Sequence, residues 1–184
     1  MQKPVIENVI EELNSTFGDH IDEWEKQYDI HIATLNPAKW TAIIQHLYQS
    51  EVFRFRYLTT LCGIHYPDKP KPFCLMAQLH SLENNLRIRL KTYSAESNPE
   101  FDSLTGLFPG ANWMEREAFD FYGFRFKGHP DLRRILNVDD MDYFPMRKEY
   151  PVEDKTRFDK DDTMFGRKKS HFDRKSLMEK KSEQ

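Results

Sequence analysis

The chain has 184 residues, a formal net charge of −3, 31% charged residues and 14% aromatic residues. That is enough aromatic mass for one packed domain with a tail, and too little positive charge for nucleic-acid binding by bulk electrostatics. It has no apolar run long enough to span a bilayer and no signal core or Arg/Ser-rich transit pattern at its start. Its two cysteines, Cys62 and Cys74, make neither a disulfide framework nor a four-thiolate cluster site. The expectation is a cytosolic protein that meets a membrane only through partners.

Val5, Ile6, Val9, Ile10, Leu13 and Phe17 recur at helical spacing, with Gly18 as a stop. Residues 28–35 alternate well enough for a strand. Asn36-Pro37 then supplies an N-cap and a first-turn proline for a helix carrying Trp40, Ile43, Ile44, Leu47 and Tyr48. Strands are expected near 54–66, 72–81 and 85–93, the first two joined by the stiff Pro67–Pro72 segment and the last two by a hairpin at 82–85. In the last strand Leu86, Ile88 and Leu90 face one way and Arg87, Arg89 and Lys91 the other. The fold class expected is α+β: two layers, a mainly antiparallel sheet with helices on one face, followed by an extended C-terminal arm.

Past residue 100 the character changes. Leu104–Pro109 is expected as a short helical turn ending at Gly110. A helix follows, with Asn112 as cap, Glu115 in a capping box and Gly123 as a left-handed stop. An extended Phe124-Arg125-Phe126 and a Gly128-His129-Pro130 turn come next. The domain is expected to occupy residues 1–150. Residues 151–184 are mostly polar and cannot build a core alone, so they are expected as an extended, partly disordered arm. From Gly166 onward the arm holds seven basic and three acidic residues, after an acidic stretch containing Glu153, Asp154, Asp159, Asp161 and Asp162, a mixed pattern that suits docking or solvation better than phosphate tracking.

The stretch from Glu115 to Arg134 is the densest in chemistry. Glu115 and Glu117 lie on nearly opposite sides of a helix and cannot converge on one bond. Arg116 and Asp120 stand at i and i+4 and are expected to pair. His129 has no nucleophile or acid placed to complete a triad, so its ring is expected to hold the turn through backbone bonds. Cys62 and His65 point to opposite faces of a strand and find no ligand-spaced pair in Cys74 and His80, which disfavours zinc. There is no G-x-G-x-x-G, P-loop or nucleophile elbow, so no site for NAD, flavin, ATP or an iron–sulfur cluster is expected. The basic doublets Arg133-Arg134 and Arg147-Lys148 could meet an anion or a partner's acids.

Glu115-Arg116-Glu117, Asp120, Gly123, Phe126, Gly128-His129-Pro130, Leu132 and Arg134 resemble the signature of the 30 kDa subunit family of respiratory complex I. Pro145-Met146-Arg147-Lys148-Glu149-Tyr150-Pro151 resembles that family's closing element, with Met146 where Leu is usual and Tyr143 near a frequent Gly. The resemblance covers about residues 107–152. It implies a subunit in the peripheral arm of proton-pumping NADH:quinone oxidoreductase, on the cytoplasmic face of the bacterial inner membrane. Its neighbours would be the 49 kDa quinone-site subunit and the iron–sulfur subunits of the arm. NADH, FMN, iron–sulfur clusters and quinone would belong to the assembled complex, with none bound by this chain. The chain itself would be inactive and structural, in the separate form not fused to the 49 kDa partner. The signature residues, with Arg133, Pro145, Arg147, Lys148, Tyr150 and Pro151, would serve the interface, and reversing Arg134 would impair assembly while sparing the isolated fold. Related subunits of membrane-bound hydrogenases and ferredoxin-linked quinone reductases share the signature. A further alternative is an RNA-binding α/β module, which would need aromatics on its open sheet face.

Overall fold

The computed structural model describes residues 4–95, 97 and 99–150. The expected C-terminal arm, including Pro151, lies outside them. Helix α1 (Ile6–Phe17) buries Val9 and Leu13, one turn apart, and its start is fixed by the Asn8 side chain, which accepts from the Val5 N–H at 3.0 Å. Helix α2 (Trp40–Gln49) follows a single 3₁₀ turn, Pro37–Lys39, which the Asn36 side chain caps by accepting from the Ala38 N–H at 3.0 Å. Trp40, Ile43, Ile44 and Leu47 bury its inner face.

The main sheet has five strands in the order β1 (Ile21–Gln27), β2 (Ile30–Leu35), β5 (Leu86–Ser94), β4 (Phe73–Ser81) and β3 (Tyr57–His65). All neighbours pair antiparallel except β2 with β5, which run parallel. Leu61, Leu75, Ala77, Leu79, Ile88 and Leu90 point into one core with the buried faces of α1 and α2. Arg87, Arg89 and Lys91 alternate with them and occupy the other face. The two-layer class is as the alternation predicts.

Two local expectations change. Strand β1 was not foreseen: its sequence IDEWEKQ lies on the sheet edge, is largely exposed and so shows no buried alternation. The run expected from 54 begins only at Tyr57. Phe53 and Phe55 mimic a strand's period, but they bury in a loop whose Phe55 N–H bonds Leu47 O at 3.2 Å.

Helix α3 (Ala111–Tyr122) packs along β3. The close approach needs Gly63, where a Cβ would stand 2.7 Å from the Tyr122 ring and 3.0 Å from Phe124. After Gly123 the chain forms β7 (Arg125–Lys127), paired in parallel with β6 (Glu100–Asp102). Phe101, Phe124 and Phe126 close this end of the core.

Candidate functional site

Helix α3 carries three buried charged side chains, Glu115, Arg116 and Asp120. Each is met by backbone from a neighbouring loop. Burying such groups in one helix is tolerable only if every one is paired or hydrogen-bonded.

Glu115 does not close a capping box, and Asn112 does not cap the helix. The helix starts at Ala111 with no side-chain cap, so Asn112 falls inside it. Glu115 instead reaches the preceding turn: Oε1 accepts from the Leu104 N–H and Oε2 from the Ser103 hydroxyl, both at 2.7 Å. Leu104–Pro109 is a hydrogen-bonded turn, with the Phe108 N–H on Leu104 O at 2.9 Å, and no regular helix. Burial pushes the Glu115 carboxyl up to about 7, against the lowering effect of the Leu104 N–H and the Ser103 hydroxyl. Glu117 is exposed, so the two glutamates do not converge.

The expected Arg116–Asp120 pair is replaced by longer-range contacts. Arg116 donates to the carbonyls of Arg133 (3.1 Å) and Arg134 (2.8 Å) and lies over the exposed Trp113 ring. Asp120 receives the Arg134 guanidinium at 2.7 Å on Oδ1. Its Oδ2 accepts three consecutive backbone N–H groups, from Ile135 (3.1 Å), Leu136 (2.8 Å) and Asn137 (2.9 Å), and the Asn137 amide meets Oδ1 at 3.1 Å. Three N–H groups converging on one carboxylate oxygen form an anion nest. Burial alone would raise this carboxyl. The Asn137 and Leu136 N–H groups, with Arg134 and the Asn137 amide, overcome that and hold it well below the usual carboxylate range. Arg134 also donates to Met141 O (2.6 Å) and Tyr143 O (3.1 Å). Arg134 is thus an internal clamp, and reversing its charge would strike the fold itself, contrary to the expectation that only assembly would suffer.

A second clamp sits at the end of α3. Gly123 adopts φ +77°, and a Cβ there would stand 2.5 Å from the Phe144 ring and 2.8 Å from the Arg147 guanidinium. Glycine is required on both counts. Arg147 donates to Tyr122 O (2.8 Å) and Ser97 O (3.0 Å), and its guanidinium lies 4.9 Å from the Phe73 ring centre and 4.8 Å from that of Phe144. It therefore turns inward, largely buried against Phe73 and Phe144. The buried His65 ring stacks on Phe73, and its Nδ1 accepts from the Lys148 N–H at 2.9 Å. That short bond sets His65 as an acceptor here, so the 4.0 Å approach of Glu149 to the same nitrogen is not an ion pair. The Met146 N–H meets Phe121 O at 3.2 Å.

The remaining signature residues complete the strap that runs from β7 to Tyr150. Gly128 has φ +80° at the turn, and the exposed Pro130 follows it. His129 Nε2 lies 3.2 Å from Asn112 O and its Nδ1 accepts from the Asp131 N–H at 3.1 Å, so the ring holds the turn through backbone groups. Phe126 and Leu132 pack on the core. Arg133 is exposed and pairs with Asp131, at 2.8 Å. Pro145 is half-buried, and Lys148 and Tyr150 are exposed, Tyr150 against Tyr143. The sequence reading missed Ser103, Asn137, Phe144 and the role of His65. The strap has no helical or strand period, so only the internal spacing of its glycines and charges marks it.

Chemically the arrangement holds polypeptide. The buried carboxyls face backbone N–H groups and an arginine, and among the described residues no three His, Cys, Asp or Glu side chains gather as a metal set. Cys74 is buried, which pushes its thiol up to about 12, far from a reactive thiolate. No described helix is long and apolar enough to cross a membrane.

A model of the family described as respiratory-chain NADH dehydrogenase, 30 Kd subunit, matches residues 33–156. A C-type subunit of the NADH-quinone oxidoreductase of Rhizobium etli is 39% identical over 137 residues, 74% of this chain and 72% of the relative. The corresponding C-type subunit of a Methylobacterium species is 36% identical over 152 residues, covering 82% of this chain and 70% of the relative. Among solved structures, a trypsin-resistant fragment of Nqo5 aligns with TM-score 0.60 at 28% identity, over 69% of this chain and 98% of the fragment. A chain of the archaeal membrane-bound sulfane sulfur reductase shares the fold, with TM-score 0.68 at 17% identity over 84% of this chain and 95% of that one.

Proposed function

The chain belongs to the family of the respiratory-chain NADH dehydrogenase 30 kDa subunit, and from that premise we propose that it is a non-catalytic assembly subunit of the peripheral arm of proton-translocating NADH:quinone oxidoreductase. In this reading it sits beside the 49 kDa quinone-site subunit, on the cytoplasmic face of the inner membrane, and touches the membrane only through the complex. NADH, FMN, iron–sulfur clusters and quinone are held by sister subunits. The observation that carries the proposal is the strap. Arg134, Arg147 and several of its backbone groups are tied inward to α3 and β3, while Leu136 and Val138 are 68% and 63% exposed and Tyr143, Met146 and Tyr150 are also exposed. A segment fixed by buried arginines, with Leu136 and Val138 turned outward, is suited to a permanent protein interface. Catalysis in this chain would need converging reactive groups, and its buried carboxyls are instead committed to holding loops.

Affinity purification of the tagged chain from native membranes tests this. It is expected to bring down the quinone-site and iron–sulfur subunits, and Leu136→Asp with Val138→Asp is expected to lower that recovery while the circular dichroism of the chain stays unchanged. Recovery of a lone monomer, or of RNA, would overturn the proposal. The donor-side subunits recovered would separate an NADH-linked complex from one driven by ferredoxin or hydrogen.

A further inference from the structure

We propose that the helix-free face of the main sheet seats an extended, acidic segment of a neighbouring subunit, a surface separate from the strap. The inference rests on the assembly role proposed above. Strand β5 is the middle strand, and Arg87, Arg89 and Lys91 stand at alternate positions on the face opposite the helices. Across the ladder they lie beside His80, Gln78 and Met76 of β4. The charge on this row is not fully balanced among the described residues. Lys91 Nζ meets Glu25 at 3.4 Å. Among the described residues the half-buried Arg89 meets the neutral Gln78 Oε1, at 3.1 Å, and its Nε and the Nε2 of His80 have no hydrogen-bond partner. Arg87 is exposed and has no carboxylate partner among the described residues.

A half-buried guanidinium answered by a neutral amide keeps an uncompensated charge, and a carboxylate arriving from outside supplies it. Same-face positions on a strand repeat every ~6.6 Å, so acids at alternate positions of an extended segment meet this row in register. Single-stranded RNA fits less well, because sheets that read it stack bases on aromatics of their central strands. Here β5 offers Tyr93, and the Lys69 ammonium already lies 5.2 Å from its ring centre.

The test places a photo-crosslinking benzoylphenylalanine at Tyr57, an exposed aromatic opposite His80 on this face, in the tagged chain within native membranes. The expected product is a crosslink to a subunit of the complex within a peptide rich in Asp and Glu. Arg87→Glu, at an exposed position, is expected to reduce that crosslink about tenfold and to make its loss with added salt shallower, with Arg87→Lys retaining both. With the complex recovered intact, a crosslink to an acid-free peptide, to this chain's own residues 151–184 or to RNA, or no crosslink at all, would overturn the inference and leave the assembly role standing. Failure of the tagged chain to recover any subunit would remove both.

Discussion

At the scale of residues, the two buried carboxyls of α3 respond to pH in opposite directions. Glu115 has a folded value raised by burial from 4.5 to about 7. Its contribution to stability is therefore fully present below 4.5 and is lost as pH rises through about 7, a difference on the order of 3 kcal/mol. Asp120 is held below 3.8, so its contribution is present above that value and is lost as pH falls further. Chemical denaturation of the chain and of Glu115→Gln separates the two. The unmodified chain is expected to lose stability between about pH 5 and 8, and the variant's profile to be flatter there, with the acid-side loss kept in both. Equal slopes in that window would show that Glu115 does not cause the decline.

At the scale of elements, the join between α3 and the strap turns on Gly123. Alanine there meets both the positive φ and the Phe144 ring, and is expected to cost about 2–4 kcal/mol. The Met146 and Lys148 amides, which bond Phe121 O and His65 Nδ1, should exchange hydrogen faster in Gly123→Ala while β4 and β5 stay protected. Unchanged protection at those amides would mean that the strap is not seated through this glycine. The elements that sequence alone revealed are those whose burial has a period. Helices α1 and α2 show it at 3.6 residues and β5 at two, and Gly123 announced its left-handed cap. Edge strand β1 stayed hidden because its charged sequence buries little, and the parallel union of β2 with β5 depends on chain reversal that no local pattern encodes. In the site, the residues of the signature were legible and their partners were not. The i,i+4 rule paired Arg116 with Asp120, but both found stronger partners in a loop whose path no periodicity describes.

At the scale of the whole molecule, the architecture recurs in the sulfane sulfur reductase chain at 17% identity, so the fold alone does not name an electron donor. The family membership rests on the sequence relatives. The strap's contacts also bear on the order of folding. The bond from the Lys148 N–H to His65 joins residues 83 apart, and that from Arg147 to Ser97 spans 50. His31 and Ile88, paired across β2 and β5, are 57 apart, so the closure through His65 spans more chain than any pairing in the sheet and is expected to follow it. Arg147→Ala is accordingly expected to speed unfolding while leaving the refolding rate nearly unchanged in stopped-flow experiments, and a matching drop in refolding rate would place the strap in the nucleus instead. Docked last, the strap can show Leu136, Val138 and Met146 to a partner only on a chain whose sheet and α3 are already complete. Under the assembly role proposed here, folding order becomes a form of proofreading: a copy whose strap has not docked does not present this apolar surface to the complex.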